Sequence, residues 1–256
     1  MPTDLILLCL AAFAAGFIDA VVGGGGLIQT PAGLILLPNY AVATVIGTLK
    51  IPAFCGTSIA AWQYSRKVKM DWKLLGVMTA ISFTAAFFGS WLLSQMHNNF
   101  MKPLLLCILV LVAVYTYSKK NFGTHTLKNH SLQQQVIFSV LISLSIGFYD
   151  GFIGPGAGSF LVLAFIILLG FDFLKASANA KIVNMATNLG SIIFFAISGK
   201  ILFAIALPMA VANAAGGAAG ARMAIVKGNK FIRIFFLVIV VGTIIRFAYD
   251  VFFKQS

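Results

Sequence analysis

Four charged side chains stand in segments of the chain that are otherwise apolar. Asp19 and Asp150 each precede a glycine-rich interruption, and Lys50 and Lys181 lie well inside long apolar stretches. A charge at membrane depth is costly unless it is paired or hydrated, so residues of this kind are rare and usually functional. Groups of both signs in such places can pair with one another, carry protons or bind a small ion.

The two interruptions are GGGGLIQT, over 23–30, and GPGAGSF, over 154–160. Glycine lets backbone N–H groups turn toward a ligand, and a short helix that starts after it directs its positive end the same way. This pattern predicts an anion site to which the interruptions contribute Gly25, Gly26, Gly156, Gly158 and Ser159. A nucleotide-binding loop is excluded, because no Gly-Lys-Ser/Thr follows either run and no strand of a soluble domain precedes it.

Neutral hydrogen-bond donors accompany the buried lysines. Asn184 and Asn188 follow Lys181 at i+3 and i+7, which places all three on one helix face. Such donors would bind an oxyanion without adding charge, so Lys181, Lys50, Asn184 and Asn188 are predicted to bind substrate. Asp19 and Asp150 are predicted to carry protons or to form charge pairs, with Asp150 as the candidate counter-charge of Lys181. The alternative is that these acids only neutralise the lysines or cap the broken helices.

Composition determines the environment of the chain. Of its 256 residues, 60% are hydrophobic and 9% are charged, whereas soluble domains carry about 25% charged residues. The chain is therefore predicted to be an all-α integral membrane protein, and a membrane β-barrel is excluded because its strands would alternate over about 10 residues. The net charge is +12, yet the cations lie mostly in loops, where they orient the chain and contact anionic lipid rather than nucleic acid. The bilayer is the expected partner, and the scattered cysteines predict neither a metal nor another cofactor.

Apolar segments divide the chain into candidate helices. They cover 5–22, 27–37, 41–64, 74–95, 103–118, 134–152, 159–169, 173–197, 201–221 and 231–253. Most are long enough to span a hydrocarbon core of about 30 Å, but 27–37 and 159–169 are about half a span. The first segment lacks a preceding Lys or Arg, so it is expected to belong to the mature fold rather than to a signal peptide.

The two halves of the chain align without a gap at a shift of 131 residues. The shift superimposes Asp19 on Asp150 and Lys50 on Lys181. Chance matches between apolar residues are common, but aligned charges within the membrane are not. The sequence therefore predicts two repeats, residues 1–131 and 132–256, and internal repeats are typical of secondary transporters.

The loop charges favour inverted repeats. Four Lys or Arg lie in each of 65–73 and 222–233 and three in 119–130, whereas 96–102 and 198–200 carry one each. All three rich loops share the cytoplasmic side only if each glycine-broken pair enters and leaves on one side, with three transmembrane helices following in each repeat. We therefore predict that Lys69, Lys128 and Lys227 face the cytoplasm, and that Asn98 and the C-terminus face outward.

Three segments carry a resemblance to a known family. GFIDAVVGGGG, GFYDGFIGPGAGSF and ASANAKIVNMATNLGS resemble the sulfite exporter TauE/SafE family of bacterial membrane transporters. The resemblance covers essentially the whole chain. It implies a secondary carrier in the cytoplasmic membrane that exports or imports sulfur-containing anions such as sulfite or sulfonates. The first half departs from the second in having Pro52-Ala53 where the second half has Val183-Asn184.

Three function classes are compatible with a membrane protein of this size. The leading hypothesis is a secondary transporter with a midplane anion site between the repeats. A non-transporting accessory membrane protein is the alternative. An enzyme is disfavoured, because the chain has no Glu, its three His lie in or beside loops, and no nucleophile–base pair lies at membrane depth.

Overall fold

The structure is a computed structural model that describes residues 2–97, 104 and 131–253. Throughout this part of the chain all regular secondary structure is helical, as the composition predicted. Within the described ranges, six helices are long and apolar enough to cross a membrane, and Gly26–Leu36 and Ala157–Leu169 are shorter apolar helices. The helices are α1 Pro2–Val22, α2 Gly26–Leu36, α3 Val42–Ser65, α4 Trp72–Gln95, α5 Leu132–Phe152, α6 Ala157–Leu169, α7 Phe173–Ile197 and α8 Phe203–Phe253.

The predicted apolar segments agree with these helices to within a few residues, with one correction. A loop was predicted over 222–233, but the break there is confined to Gly228, with φ of 66° and ψ of −162°, where two helical stretches meet within α8. Lys, Arg, Met and Ala are good helix formers, so a cluster of charges does not end a helix, whereas glycine permits a kink. The segment 103–118, apart from Leu104, and the loop 119–130 lie outside the described residues.

Three of the described helices begin at polar caps. The Asp71 carboxylate accepts hydrogen bonds from the N–H groups of the first turn of α4, and the Asp172 carboxylate accepts one from Lys175 N at 2.8 Å. Ser131 and Gln134 form a reciprocal capping box at the start of α5. These side chains satisfy N–H groups that have no partner within their helix.

The long helices pack mainly between the two halves of the chain. Helix α1 lies along α8, and α4 lies along α5 and α7. A Cβ atom on Gly220 would lie 2.4 Å from the carbonyl oxygen of Phe17, and one on Gly89 would lie 2.3 Å from that of Phe148. Glycine is required at both crossings, because the backbones approach too closely for any side chain.

Two hydrophobic clusters mark opposite ends of the helix bundle. The ends of α1 and α3, the start of α7 and the middle of α8 share one cluster, whereas the starts of α3 and α8 and the ends of α4 and α7 share another. Helix α3 and the first part of α8 therefore run in one direction, and α7 runs in the other. The first cluster includes Tyr64, Phe173 and Ile232, and the second includes Val42, Phe195 and Ala206.

Candidate functional site

Glycines in left-handed backbone conformations separate α1 from α2 and α5 from α6. Gly23 and Gly24 have φ of 79° and 85°, and Gly154 and Gly156 have φ of 91° and 85°. Other L-residues adopt such angles only with strain. Both interruptions therefore depend on glycine for their geometry.

The two interruptions lie directly against each other. A Cβ atom on Gly23 would lie 2.3 Å from the carbonyl carbon of Gly158, and one on Gly26 would lie 3.1 Å from Cα of Pro155. The hydroxyl of Ser159, at the start of α6, donates to the carbonyl oxygen of Val22 at 3.5 Å. The non-helical backbone of the first half is thus buried against that of the second half, which is where irregular backbone is tolerated in a membrane.

The four charges that the sequence places beside the interruptions form two ion pairs that cross between the halves. Lys50 Nζ lies 2.9 Å from Asp150 Oδ1 and also donates to the Asp150 carbonyl oxygen at 2.6 Å. Lys181 Nζ lies 2.9 Å from Asp19 Oδ2. The prediction that Asp150 is the counter-charge of Lys181 is therefore wrong. The distance along the chain does not reveal that α7 brings its lysine to α1 rather than to α5.

The two carboxylates are held differently. Asp150 also accepts a short hydrogen bond from the Thr187 hydroxyl, and only 5% of its side chain is exposed. Asp19 has two long contacts, with Thr57 Oγ1 at 3.3 Å and Gly25 N at 3.4 Å, and 16% of its side chain is exposed. Asp19 is therefore the less tightly bound and more accessible acid.

A cavity of about 60 Å³ with a mixed polar and apolar lining lies beside the ion pairs. A water molecule needs about 10–15 Å³ of a cavity volume measured in this way, so the cavity has room for several water molecules or one small ion. Of the predicted site residues, Lys181 and Ser159 lie behind the wall of the cavity, and the others line it. The polar lining comprises Asp19, Asp150, Lys50, Asn184, Asn188, Asn213, Gln29, Thr30, Thr57 and the backbone of Gly24, Gly25, Gly26, Gly154, Gly156 and Gly158.

Two lining amides were not predicted to be site residues. Asn213 Nδ2 donates to Gln29 Oε1 at 2.8 Å, and Gln29 Nε2 donates to the carbonyl oxygen of Leu49 at 3.0 Å. Asn213 belongs to the small-residue run ANAAGGAAGA over 212–221, a pattern typical of close helix packing. The run does pack closely, since a Cβ atom on Gly56 would lie 1.9 Å from Asn213 Oδ1. Asn213 is the one residue of this run with a polar side chain, and this was the sequence signal that could have identified it as a site residue.

Residues 8–247 match the family model described as sulfite exporter TauE/SafE. The chain belongs to this family. As a TauE/SafE protein with six candidate membrane spans among its described residues, it is a multi-pass integral membrane protein of a transporter family.

Relatives of similar length carry names that agree with this family. The chain is 34% identical to a probable membrane transporter protein, ORF9, of Sinorhizobium over 96% of its own length and 93% of the relative. It is 34% identical to a probable membrane transporter protein of Haemophilus influenzae, over 89% and 88% of the two chains. It is 32% identical to the probable membrane transporter protein YfcA of Escherichia coli, over 97% and 91%. No solved structure matches the chain.

Proposed function

We propose that the protein is a secondary transporter that moves small sulfur-containing anions across the bacterial cytoplasmic membrane. The single observation that carries this proposal is a cavity lined partly by charged and amide side chains, which lies where the two glycine interruptions meet and beside two ion pairs that join the halves. Membrane proteins keep polar cavities and buried charges at substrate pathways, because both are costly elsewhere in the bilayer.

The lining of the cavity suits an anion. Lys50 supplies a cation in its wall, and the side-chain amides of Asn184 and Asn188 supply neutral donors. The positive ends of α2 and α6 face the same space, because the glycines that precede them line it. A small oxyanion would find donors on several sides, which is the arrangement known from midplane sites of broken-helix transporters.

The proposed site lies between two inverted repeats, residues 1–131 and 132–256. Helix contacts support this arrangement. Gly220 packs against Phe17, and Gly89 packs against Phe148. The shift of 131 residues relates Gly89 to Gly220 and Phe17 to Phe148, so the two contacts are equivalent. The same shift turns the Asp19–Lys181 pair into the Asp150–Lys50 pair. Rocking of one repeat against the other would expose the cavity to alternate sides of the membrane.

The helix directions support the predicted topology. The end of α3, the start of α7 and the middle of α8 share one hydrophobic cluster, and the cation-rich segments 65–73 and 222–233 adjoin it. The cation-poor loop 198–200 adjoins the opposite cluster. We assign the cation-rich end to the cytoplasm, in accordance with the positive-inside rule.

The family description supports a sulfur oxyanion such as sulfite or a sulfonate as the substrate. The volume of the cavity is consistent with an anion of this size rather than a nucleotide or a peptide. The alternative, a non-transporting accessory protein, would retain the ion pairs only as structural links between the halves.

Flux into proteoliposomes tests the proposal. Purified protein reconstituted in liposomes should take up radiolabelled sulfite or a radiolabelled sulfonate, and Lys50→Met should abolish the uptake because the cation in the cavity wall is lost. Lys69→Met is the matched control, since Lys69 is exposed in the loop between α3 and α4 and should leave uptake unchanged. Absence of flux in the folded, unsubstituted protein would favour the accessory role, and full flux in Lys50→Met would exclude this cavity as the site.

A further inference from the structure

Both cations beside the cavity already hold a carboxylate. Lys50 pairs with Asp150 and Lys181 pairs with Asp19, so the four groups sum to no net charge when both acids are ionised. An anion that enters the cavity would gain little attraction, because a carboxylate already neutralises each lysine. It would also meet the two carboxylates in the cavity wall. Binding therefore requires that one negative charge be removed.

We propose that Asp19 takes up one proton each time an anion binds, so that anion and proton cross the membrane together. This inference rests on the proposed function, because it assigns the coupling ion of the same site. The proton adds to a carboxylate oxygen of Asp19 and no other bond changes. Lys181 then balances the charge of the anion, and the neutral acid gains an O–H group that can donate a hydrogen bond to an oxyanion.

The difference between the two acids selects Asp19 over Asp150. Asp150 has a partner on each carboxylate oxygen, with Lys50 on Oδ1 and the Thr187 hydroxyl on Oδ2, and protonation would oppose the contact with Lys50. Asp19 has one close partner, Lys181, and its side chain is about three times as exposed, 16% against 5%. A proton that enters through the cavity therefore reaches Asp19 more readily than Asp150.

Among the described residues, no other acid lies next to Asp19 that could take up the proton instead. From α7 it faces Lys181, and from α3 it faces the Thr57 hydroxyl and, further along, Tyr64, whose hydroxyl donates to the carbonyl oxygen of Ala20 at 3.0 Å. Helices α2 and α6 carry no titratable side chain. The part of α8 that packs against α1 presents the amide of Asn213, and its first charged residue, Arg222, is exposed. Across the cavity, the titratable side chains in its described lining are Lys50 and Asp150.

Proton uptake can be measured on the unsubstituted protein. Methanesulfonate is the probe, because it keeps a single negative charge over the whole pH range of the experiment, whereas sulfite titrates. Mixing it with detergent-purified protein in weakly buffered solution containing a pH indicator should consume about one proton per bound anion. Because binding takes up one proton, the dissociation constant for methanesulfonate must rise about tenfold per pH unit at every pH where the Asp19 carboxyl of the anion-free protein is ionised. Infrared difference spectra should show a new carboxylic acid band on binding.

Two variants assign the proton to Asp19. Asp19→Asn mimics the protonated acid, so it should bind methanesulfonate with a dissociation constant that changes less than about twofold over the same pH range, without proton uptake. Asp71→Asn is the matched control, since Asp71 caps α4 away from the cavity and asparagine caps helices equally well. This variant should keep the proton uptake of the unsubstituted protein.

The possible failures separate the two proposals. Binding of methanesulfonate without proton uptake by the unsubstituted protein would overturn the coupling and leave the anion site intact. Proton uptake that persists in Asp19→Asn would overturn the assignment to Asp19. If Asp19→Asn does not fold, the stoichiometry and the infrared band of the unsubstituted protein still decide whether a carboxyl is protonated. Absence of binding by methanesulfonate and by sulfite would overturn the proposed function together with the coupling.

Discussion

Replacing Lys181 with methionine removes the cation of the Asp19 pair from a position with no solvent exposure. Breaking a buried ion pair by removing one partner costs about 3–5 kcal/mol. We expect about 3 kcal/mol here, at the lower end of that range, because Asp19 keeps 16% exposure and contact with the cavity. For a chain of this size the loss corresponds to about 6–12 °C in the midpoint of thermal unfolding in detergent.

A second substitution tests which acid is the partner. Asp19→Asn added to Lys181→Met removes the unpaired carboxylate, so most of the lost thermal stability should return. Asp150→Asn added to Lys181→Met should instead lower stability further, because it leaves Lys50, with 7% of its side chain exposed, without its counter-charge. Thermal unfolding of the unsubstituted protein, the single variants and both double variants completes the comparison.

The same double variant separates binding from structural support. Transport should remain lost in the Lys181→Met, Asp19→Asn protein even when its stability returns, since no cation then balances the anion. Equal stability of the two double variants would refute the ion pairing described above. Recovery of anion flux together with stability would show that only neutrality matters at this position.

Three further predictions follow from particular contacts. Gly25→Val should abolish flux, because its Cβ would lie 2.3 Å from the Ala15 carbonyl oxygen, and normal flux in this variant would contradict the prediction. Gly76→Ala is the control, since no atom lies within 4 Å of the new Cβ, and it should preserve flux and raise stability by about 0.5–1 kcal/mol. Tyr64→Phe should lower stability by about 0.5–1.5 kcal/mol in thermal unfolding, through loss of the buried hydrogen bond to α1, and an unchanged midpoint would show that this bond contributes nothing. A cysteine at Lys69 should be labelled only from the cytoplasmic side of intact cells, and labelling from outside would reverse the proposed orientation.

Much of the architecture could be predicted because a membrane restricts what a chain can do. Hydrocarbon demands long apolar helices with internal hydrogen bonds, so composition indicated the all-α class and the apolar segments indicated the approximate helix limits. The exception is the stretch 222–233, where loop-like charge coexists with good helix formers and α8 continues to a kink at Gly228. Charge marks the membrane surface, but it does not by itself end a helix.

Part of the site could also be predicted from residue type. Asp19, Asp150 and Lys50 stood out because buried charge is costly, and the cavity includes all three. Gln29 and Asn213 did not stand out, because an uncharged amide in a membrane helix has many ordinary structural roles. Their hydrogen bond to each other joins residues far apart in the chain, so neither local sequence contains the signal.

The sequence by itself determined that this chain is a membrane protein of helices, that glycine interrupts it twice, and that charges of both signs lie beside the interruptions. These features follow from local chemistry, since each residue must suit its solvent and its own backbone angles. Only the tertiary structure decided that Lys181 pairs with Asp19, that Lys181 lies behind the cavity wall, and that Asp19 is the more accessible acid. Those outcomes depend on which helices cross and at what distance, which is set by the packing of α1, α3, α5 and α7 as a whole.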